Sequence, residues 1–249
     1  MLEIRNISKS FEGVRALDAV EFSVTSGEFV SLIGPNGSGK TTLFNCITGF
    51  LSPDEGHVLF EGRELVGAAP YAISQYGIAR TFQSVRLFGK LSVLDNLLVS
   101  VQEHQAERSV ARVLRSRAVR GHEREARRRA EVLVDRIGLG GFLEKPAREL
   151  SYGQRKLLSI GMALVAQPRL LLLDEPTAAV NPTLILTISD LLRELMAQGQ
   201  TFLVVEHNME FVMSLSHRVV VLDAGRKIAE GSPESVRSDA RVLEAYLGG

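Results

Sequence analysis

The sequence predicts an α/β protein whose core is interrupted by an inserted helical block. Three observations predict it. The N-terminal stretch alternates apolar and polar residues in short runs, as half-buried strands do. A helical periodicity sets in at Val93 and holds, with interruptions, to about Ala166. Beyond it, short continuous apolar runs alternate with helical segments, the pattern of strands covered on both faces.

Taken in order, residues 2–7 and 20–24 alternate as strands, and 29–33 is a short apolar run ending in glycines. A helical pattern follows from Thr42, and 57–60 and 77–82 read as further strands. After the helical block, 169–173 reads as a buried strand, 182–198 as a helix and 201–205 as another buried strand. Residues 217–222 and 225–229 form a closing strand pair. The insertion is placed at 90–165, so that 1–89 and 166–249 build one core and 1–249 is a single domain. No repeat or low-complexity linker interrupts it.

The bulk numbers narrow the classes. At 249 residues, 45% hydrophobic and 23% charged, the chain is ordinary for a globular protein with a sizeable core. The apolar run at 170–173 falls far short of the roughly 18 residues that span a bilayer. The N-terminus mixes charge with alternation and has no apolar signal core, so the protein is expected in the cytoplasm, reaching a membrane only through a partner. Cys46 is the only cysteine, which excludes an intrachain disulfide and a thiolate zinc site. Lysine plus arginine and aspartate plus glutamate each total 29, so nothing global attracts nucleic acid. The arginine-rich segment 103–129 reads either as a solvated helix face or as a contact for anionic lipid headgroups.

Gly34, Pro35, Asn36, Gly37, Ser38, Gly39, Lys40 and Thr41 match G-x-x-x-x-G-K-[ST] in full, between an apolar strand and a helix. Phosphate oxygens must lie against backbone N–H groups, so the three glycines keep side chains out of the way. The helix that runs on through Thr42 offers its positive N-terminal end to the same anion. Lys40 supplies a compact charge to the β- and γ-phosphates, and the Thr41 hydroxyl can ligate Mg²⁺. This is a nucleotide site, with ATP and Mg²⁺ as the expected ligands.

The run at 170–173 ends in two adjacent carboxylates. Asp174, at the strand's C-terminal edge, is placed to hold Mg²⁺ directly or through water, and Glu175 to orient or deprotonate the attacking water. The bland alternative for such a pair is a helix cap. Gln83 and His207 each follow an apolar run. Each is either a capping or surface residue or a sensor of the γ-phosphate and its water at the same crevice.

The segment Leu150-Ser151-Tyr152-Gly153-Gln154, lying between the phosphate loop and Asp174, resembles the signature of ABC ATPases, usually LSGGQ, with Tyr152 as a departure. Found in order with the phosphate loop, Gln83, Asp174-Glu175 and His207, it extends the resemblance over essentially the whole chain. The resemblance implies a P-loop NTPase core with an N-terminal antiparallel β subdomain and an inserted α-helical subdomain. It also implies that Ser151, Gly153 and Gln154 cap ATP bound to a second ATP-binding subunit, an identical copy or a paralogue. Phe11 matches the residue that stacks on adenine, while from the residues alone it reads equally as hairpin core. By the same resemblance Gln83 reports γ-phosphate and Mg²⁺ to a transmembrane permease, and His207 contacts the γ-phosphate. Residues 178–181 match the loop joining the two subunits, with Asn181 where aspartate is commoner.

Within the family the chain is similar to ATP-binding subunits of branched-chain amino-acid importers. The shared features are Ala79-Arg80-Thr81-Phe82-Gln83 with Val85 to Phe88 after it, the arginine-rich insertion, Tyr152, Asn181-Pro182, Glu206-His207-Asn208-Met209 and the tail from Ala245 to Gly248. Ser159 and Met162 stand where relatives often carry glutamate and arginine. This similarity implies permease partners, indirect service to a solute-binding protein, and a peripheral place on the cytoplasmic face of the membrane. Importers of urea or other carboxylates, lipid or polysaccharide exporters, soluble ABC ATPases and P-loop kinases are the competing classes. A kinase would not need Ser151 to Gln154 or His207.

Overall fold

The structure, a computed structural model, describes residues 1–82, 87–103 and 116–247. These divide into two compact units, one of residues 1–80, 169–177 and 192–249, the other of 81–168 and 178–191.

The first unit carries two sheets. Strands β1 (Leu2–Phe11), β2 (Val14–Val24), β4 (Glu55–Phe60) and β5 (Arg63–Glu64) form an antiparallel sheet in the order β2-β1-β4-β5. The second sheet has β3 (Phe29–Ile33), β6 (Ile78–Arg80), β7 (Leu170–Asp174), β8 (Thr201–Val205), β9 (Arg218–Asp223) and β10 (Arg226–Gly231), in the order β10-β9-β3-β8-β7-β6. All its neighbours run parallel except the closing pair β9–β10. Strands β3, β7 and β8 are buried at every position, which is why they read as unbroken apolar runs rather than alternations.

Helix α1 (Lys40–Ile47) follows β3 after the loop at 34–39, beginning two residues before the expected Thr42. Its Leu43, Phe44, Cys46 and Ile47 join one core with Leu2, Ile4 and Val58 of the antiparallel sheet and with Leu172, Leu203 and Val220 of the parallel one. Fully burying each large side chain contributes about 1.5–3 kcal/mol, so the helix behind the phosphate loop is fixed from two sides. Helix α2 (Pro70–Gln75) leads into β6, which spans only three of the six residues expected as strand, because the turn at Gly77 (φ 95°) precedes it.

The second unit is helical, with α3 (Val93–Glu103), α4 (Ser116–Arg136), two 3₁₀ turns at Gly140–Phe142 and Ala147–Glu149, and α5 (Tyr152–Leu164). Its compact boundary runs wider than the expected 90–165, and it also takes the first half of α6 (Pro182–Ala197). The reason is local: Leu184 packs so tightly on Gly153 that a Cβ there would collide with it. The first unit closes with α7 (Met209–Leu215), α8 (Pro233–Arg237) and α9 (Ala240–Leu247). Val212, Val236 and Val242 of these helices cluster with Ile33, Val219 and Val221. No helix among the described residues is long and apolar enough to cross a membrane.

Candidate active site

The adjacency of β3, β8 and β7 decides where the polar residues meet. Parallel strands end on one side, and Asp174 of β7 pairs in register with Val205 of β8. The phosphate loop after β3, the Asp174-Glu175 pair and the Glu206-His207 pair therefore leave the sheet at the same edge, where α/β proteins hold ligands.

The loop at 34–39 is shaped by its glycines. Gly34 has φ 150°, and a Cβ there would collide with the Leu222 carbonyl oxygen. Gly39 has φ 100°, in the left-handed region, and a Cβ would stand 2.5 Å from the Ala16 carbonyl. Lys40 folds back into the loop. Its Nζ donates to the carbonyls of Gly34 at 2.9 Å and Pro35 at 2.8 Å and to Ser38 Oγ at 3.3 Å. Burial holds the Lys40 ammonium below the usual lysine range, with Glu175 and Asp174 pulling the other way. An ammonium desolvated among backbone carbonyls gains much by meeting an anion. Asn36, Gly37 and Thr41 face solvent, whereas Thr42 is half-buried.

Asp174 is 5% exposed, and its Oδ2 accepts from Arg80 Nη2 at 2.9 Å. Glu175 follows with φ 48°, left-handed for a residue with a Cβ, and its N–H donates to the Val205 carbonyl at 2.9 Å. Its Oε1 lies 3.0 Å from His207 Nε2, so the expected water-orienting carboxylate and the expected γ-phosphate sensor are already in contact. Neither is buried. The capping alternative for the acidic pair does not describe them, because Asp174 lies within a strand and holds an arginine.

Phe11 is 42% exposed beside a tight turn at Glu12 and Gly13, with Lys9 Nζ 5.6 Å from its ring centroid. The ring stands at the hairpin tip instead of packing into a hairpin core. In the second unit Ser151 caps α5, its Oγ accepting from Gln154 N at 3.3 Å while Gln154 Oε1 accepts from Ser151 N at 2.9 Å. Ser151 and Tyr152 face solvent at that helix start. Asn181 caps α6 by accepting from Leu184 N at 2.9 Å. Gln83, with Val85 and Arg86, lies outside the described residues. In the described part of the arginine-rich segment, Arg127 pairs with Glu131 and Arg128 with Glu125 on the exposed helix face. This is the arrangement of a solvated face.

Two residues that carry the geometry received no role from the sequence. Glu206, 2% exposed, accepts from Thr177 N at 2.8 Å and Thr177 Oγ1 at 2.7 Å through one oxygen, and from His207 N at 2.8 Å and Asn208 N at 3.1 Å through the other. It ties the loop after Glu175 to the loop bearing His207. A glutamate closing a fully buried strand was the available signal, since a buried carboxylate requires several donors. Arg80 is the second, and its partners in sequence, Asn45, Thr48 and Asp174, are too scattered to suggest it.

Known proteins resemble the chain along its whole length. The model of the ABC transporter family matches residues 17–178, and that of the branched-chain amino acid ATP-binding cassette transporter matches 226–249. The high-affinity branched-chain amino acid transport ATP-binding protein BraF of Pseudomonas aeruginosa is 38% identical over 249 residues, covering 100% of this chain and 98% of its own length. The corresponding protein LivG of Escherichia coli K12 is also 38% identical, with the same coverage. Among solved structures, a nucleotide-free ATP-binding cassette from an ABC transporter superimposes with a TM-score of 0.86 at 37% identity, over 100% of this chain and 99% of that one.

Proposed function

Because the chain belongs to the ABC transporter family, as an ATP-binding cassette, we propose that it is the ATP-hydrolysing subunit of an importer of branched-chain amino acids. The convergence of Lys40, Asp174, Glu175 and His207 at one sheet edge carries the ATPase reading. The full-length likeness to BraF and LivG carries the solute.

The residues suit the chemistry. An incoming triphosphate takes over the Lys40 ammonium from the Gly34 and Pro35 carbonyls and is cradled by the loop's backbone N–H groups. The hydroxyl of Thr41 and the carboxylate of Asp174 are hard oxygen donors of the kind Mg²⁺ takes, and Gln83 is the proposed third contact. When bound, that ion neutralises charge on the β- and γ-phosphate oxygens. Glu175 accepts the proton of the attacking water, or orients it, while His207 fixes the carboxylate and contacts the γ-phosphate. The exposed Phe11 ring stacks on adenine. Ser151, Gly153 and Gln154 close over ATP held by a second ATP-binding subunit, with the N-terminus of α5 turned toward its γ-phosphate. Permease subunits receive the resulting motion, a solute-binding protein delivers the amino acid to them, and the chain sits peripherally on the cytoplasmic face.

Nucleotide titration and phosphate release on two variants test the site. Lys40→Ala should lose nucleotide affinity, since the loop loses its side-chain cation. Glu175→Gln should bind ATP as before and turn over roughly 10²-fold or more slowly, as loss of a general base gives. Turnover within a few-fold of wild type would remove Glu175 from the role. Leucine, isoleucine and valine uptake in cells with and without the gene tests the solute, and unchanged uptake of all three refutes it.

A further inference from the structure

We infer that Arg80 is a positioning residue that holds Asp174 in its metal-facing place. The inference rests on the proposal above that Asp174 serves Mg²⁺. Both side chains of the pair are almost fully covered, at 6% and 7% exposure. A buried charge pair is costly to assemble and far costlier to break from one side, so such a pair fixes geometry strongly. Here the arginine is itself anchored. Its Nη1 donates to Asn45 Oδ1 at 2.7 Å and Thr48 Oγ1 at 3.1 Å, while Nη2 donates to Asp174 Oδ2 at 2.9 Å. Its guanidinium carbon stands 5.4 Å from the centroid of the buried Phe44 ring. Asn45, Thr48 and Phe44 all belong to α1 or its C-cap, the helix that begins with Lys40 and Thr41. One planar cation thus links the helix carrying one proposed metal ligand to the strand end carrying the other. A lysine, with a point charge and no fork, cannot span those partners.

The test is the Mg²⁺ dependence of binding of a fluorescent ATP analogue, with nucleotide affinity in excess EDTA as reference. Arg80→Gln should raise the Mg²⁺ half-saturation by about 10-fold or more, the usual effect of losing a partner behind a metal ligand. Metal-free nucleotide affinity should stay within about threefold, because the loop donors are untouched. Arg80→Lys should fall on the same side of wild type. Removing a cation from beside a cation site strengthens that site if charge is all that matters. A half-saturation that falls, or does not move, therefore overturns the inference. Should Arg80→Gln fail to fold, Asn45→Ala, which loosens the far end of the anchor and leaves the ion pair, must still raise the half-saturation. A wild-type value in both Asn45→Ala and Arg80→Lys refutes positioning. If the wild-type chain itself shows no Mg²⁺ effect on nucleotide binding, the metal reading of Asp174 falls, and this inference with it.

Discussion

Glu175 carries the proposed chemistry on a backbone that its residue type disfavours. At φ 48° it pays the cost of a left-handed residue with a Cβ, of order 1–3 kcal/mol, in a loop held by Glu206 and Val205. Asparagine enters that region more readily. Glu175→Asn should therefore abolish turnover yet melt at or above the wild-type temperature, since relief of that strain offsets the contacts the carboxylate gives up. Calorimetry of the two proteins checks it, and a fall of more than about 5 °C would mean that the strain is not relieved. At this scale the sequence was legible wherever function is encoded locally. Gly34 to Thr41 are contiguous, and Asp174-Glu175 and His207 each close an apolar run. The partners of the supports were not legible, because Arg80 meets Asp174 across 94 positions and Glu206 meets Thr177 across 29. No spacing rule connects such residues before the strands are ordered.

Two loops ahead of helices carry the element-scale expectations. Ser151 and Gln154 satisfy each other's backbone at the start of α5, so that turn is formed without any partner. Ser151→Arg keeps the helix but places bulk and charge where the second subunit's γ-phosphate would dock. ATP binding by the lone subunit should survive, and hydrolysis in the assembled complex should fall; normal hydrolysis there would refute the shared site. Phe88 is 48% exposed, and its backbone is pinned by Asn96, whose Oδ1 accepts from Phe88 N at 2.9 Å and whose amide donates back to Phe88 O at 3.2 Å. A rigid backbone presenting an exposed aromatic ring is how an anchor is offered to a partner. Phe88→Ala should leave the melting temperature within about 2 °C, since little burial is lost, while weakening assembly with the permease or uncoupling hydrolysis from uptake. A large loss of melting temperature with normal coupling would make Phe88 core. Element type followed from periodicity, but element ends did not. The run at 77–82 contains a strand of three residues, because the polar demands of Arg80 and the turn at Gly77 cut it short.

In the first unit, the sheet joins residues far apart in the chain, and one ion pair makes that dependence measurable. Arg218 Nε donates to Glu28 Oε1 at 2.7 Å and Nη2 to Oε2 at 2.9 Å, linking the approach to β3 with the start of β9. Burial raises the Glu28 carboxyl, but the bonds from Arg218 and Thr25 outweigh it and hold the group below the ordinary 4.5. A lowered folded value means stability that is complete above the ordinary value and lost as pH falls through the folded one. Glu28→Gln should cost about 1 kcal/mol at pH 7, roughly 2–4 °C of melting temperature, with the gap closing as pH falls through the lowered folded value. A gap that is constant from pH 7 to 3 would assign the effect to packing instead. The α/β class was legible because strand and helix periodicities differ, whereas the strand order was not, since burial patterns do not name partners. That order has a consequence during synthesis. Phe29 in β3 pairs with Phe202 in β8, so the central strand leaves the ribosome long before its neighbours exist. At translation speeds of about 5–20 residues per second, the wait over some 170 residues is on the order of 10 to 30 seconds. For that interval the nascent chain carries an unpaired apolar strand. Ribosomes stalled before residue 200 should release aggregation-prone fragments, while those stalled after β9 should release protease-resistant ones.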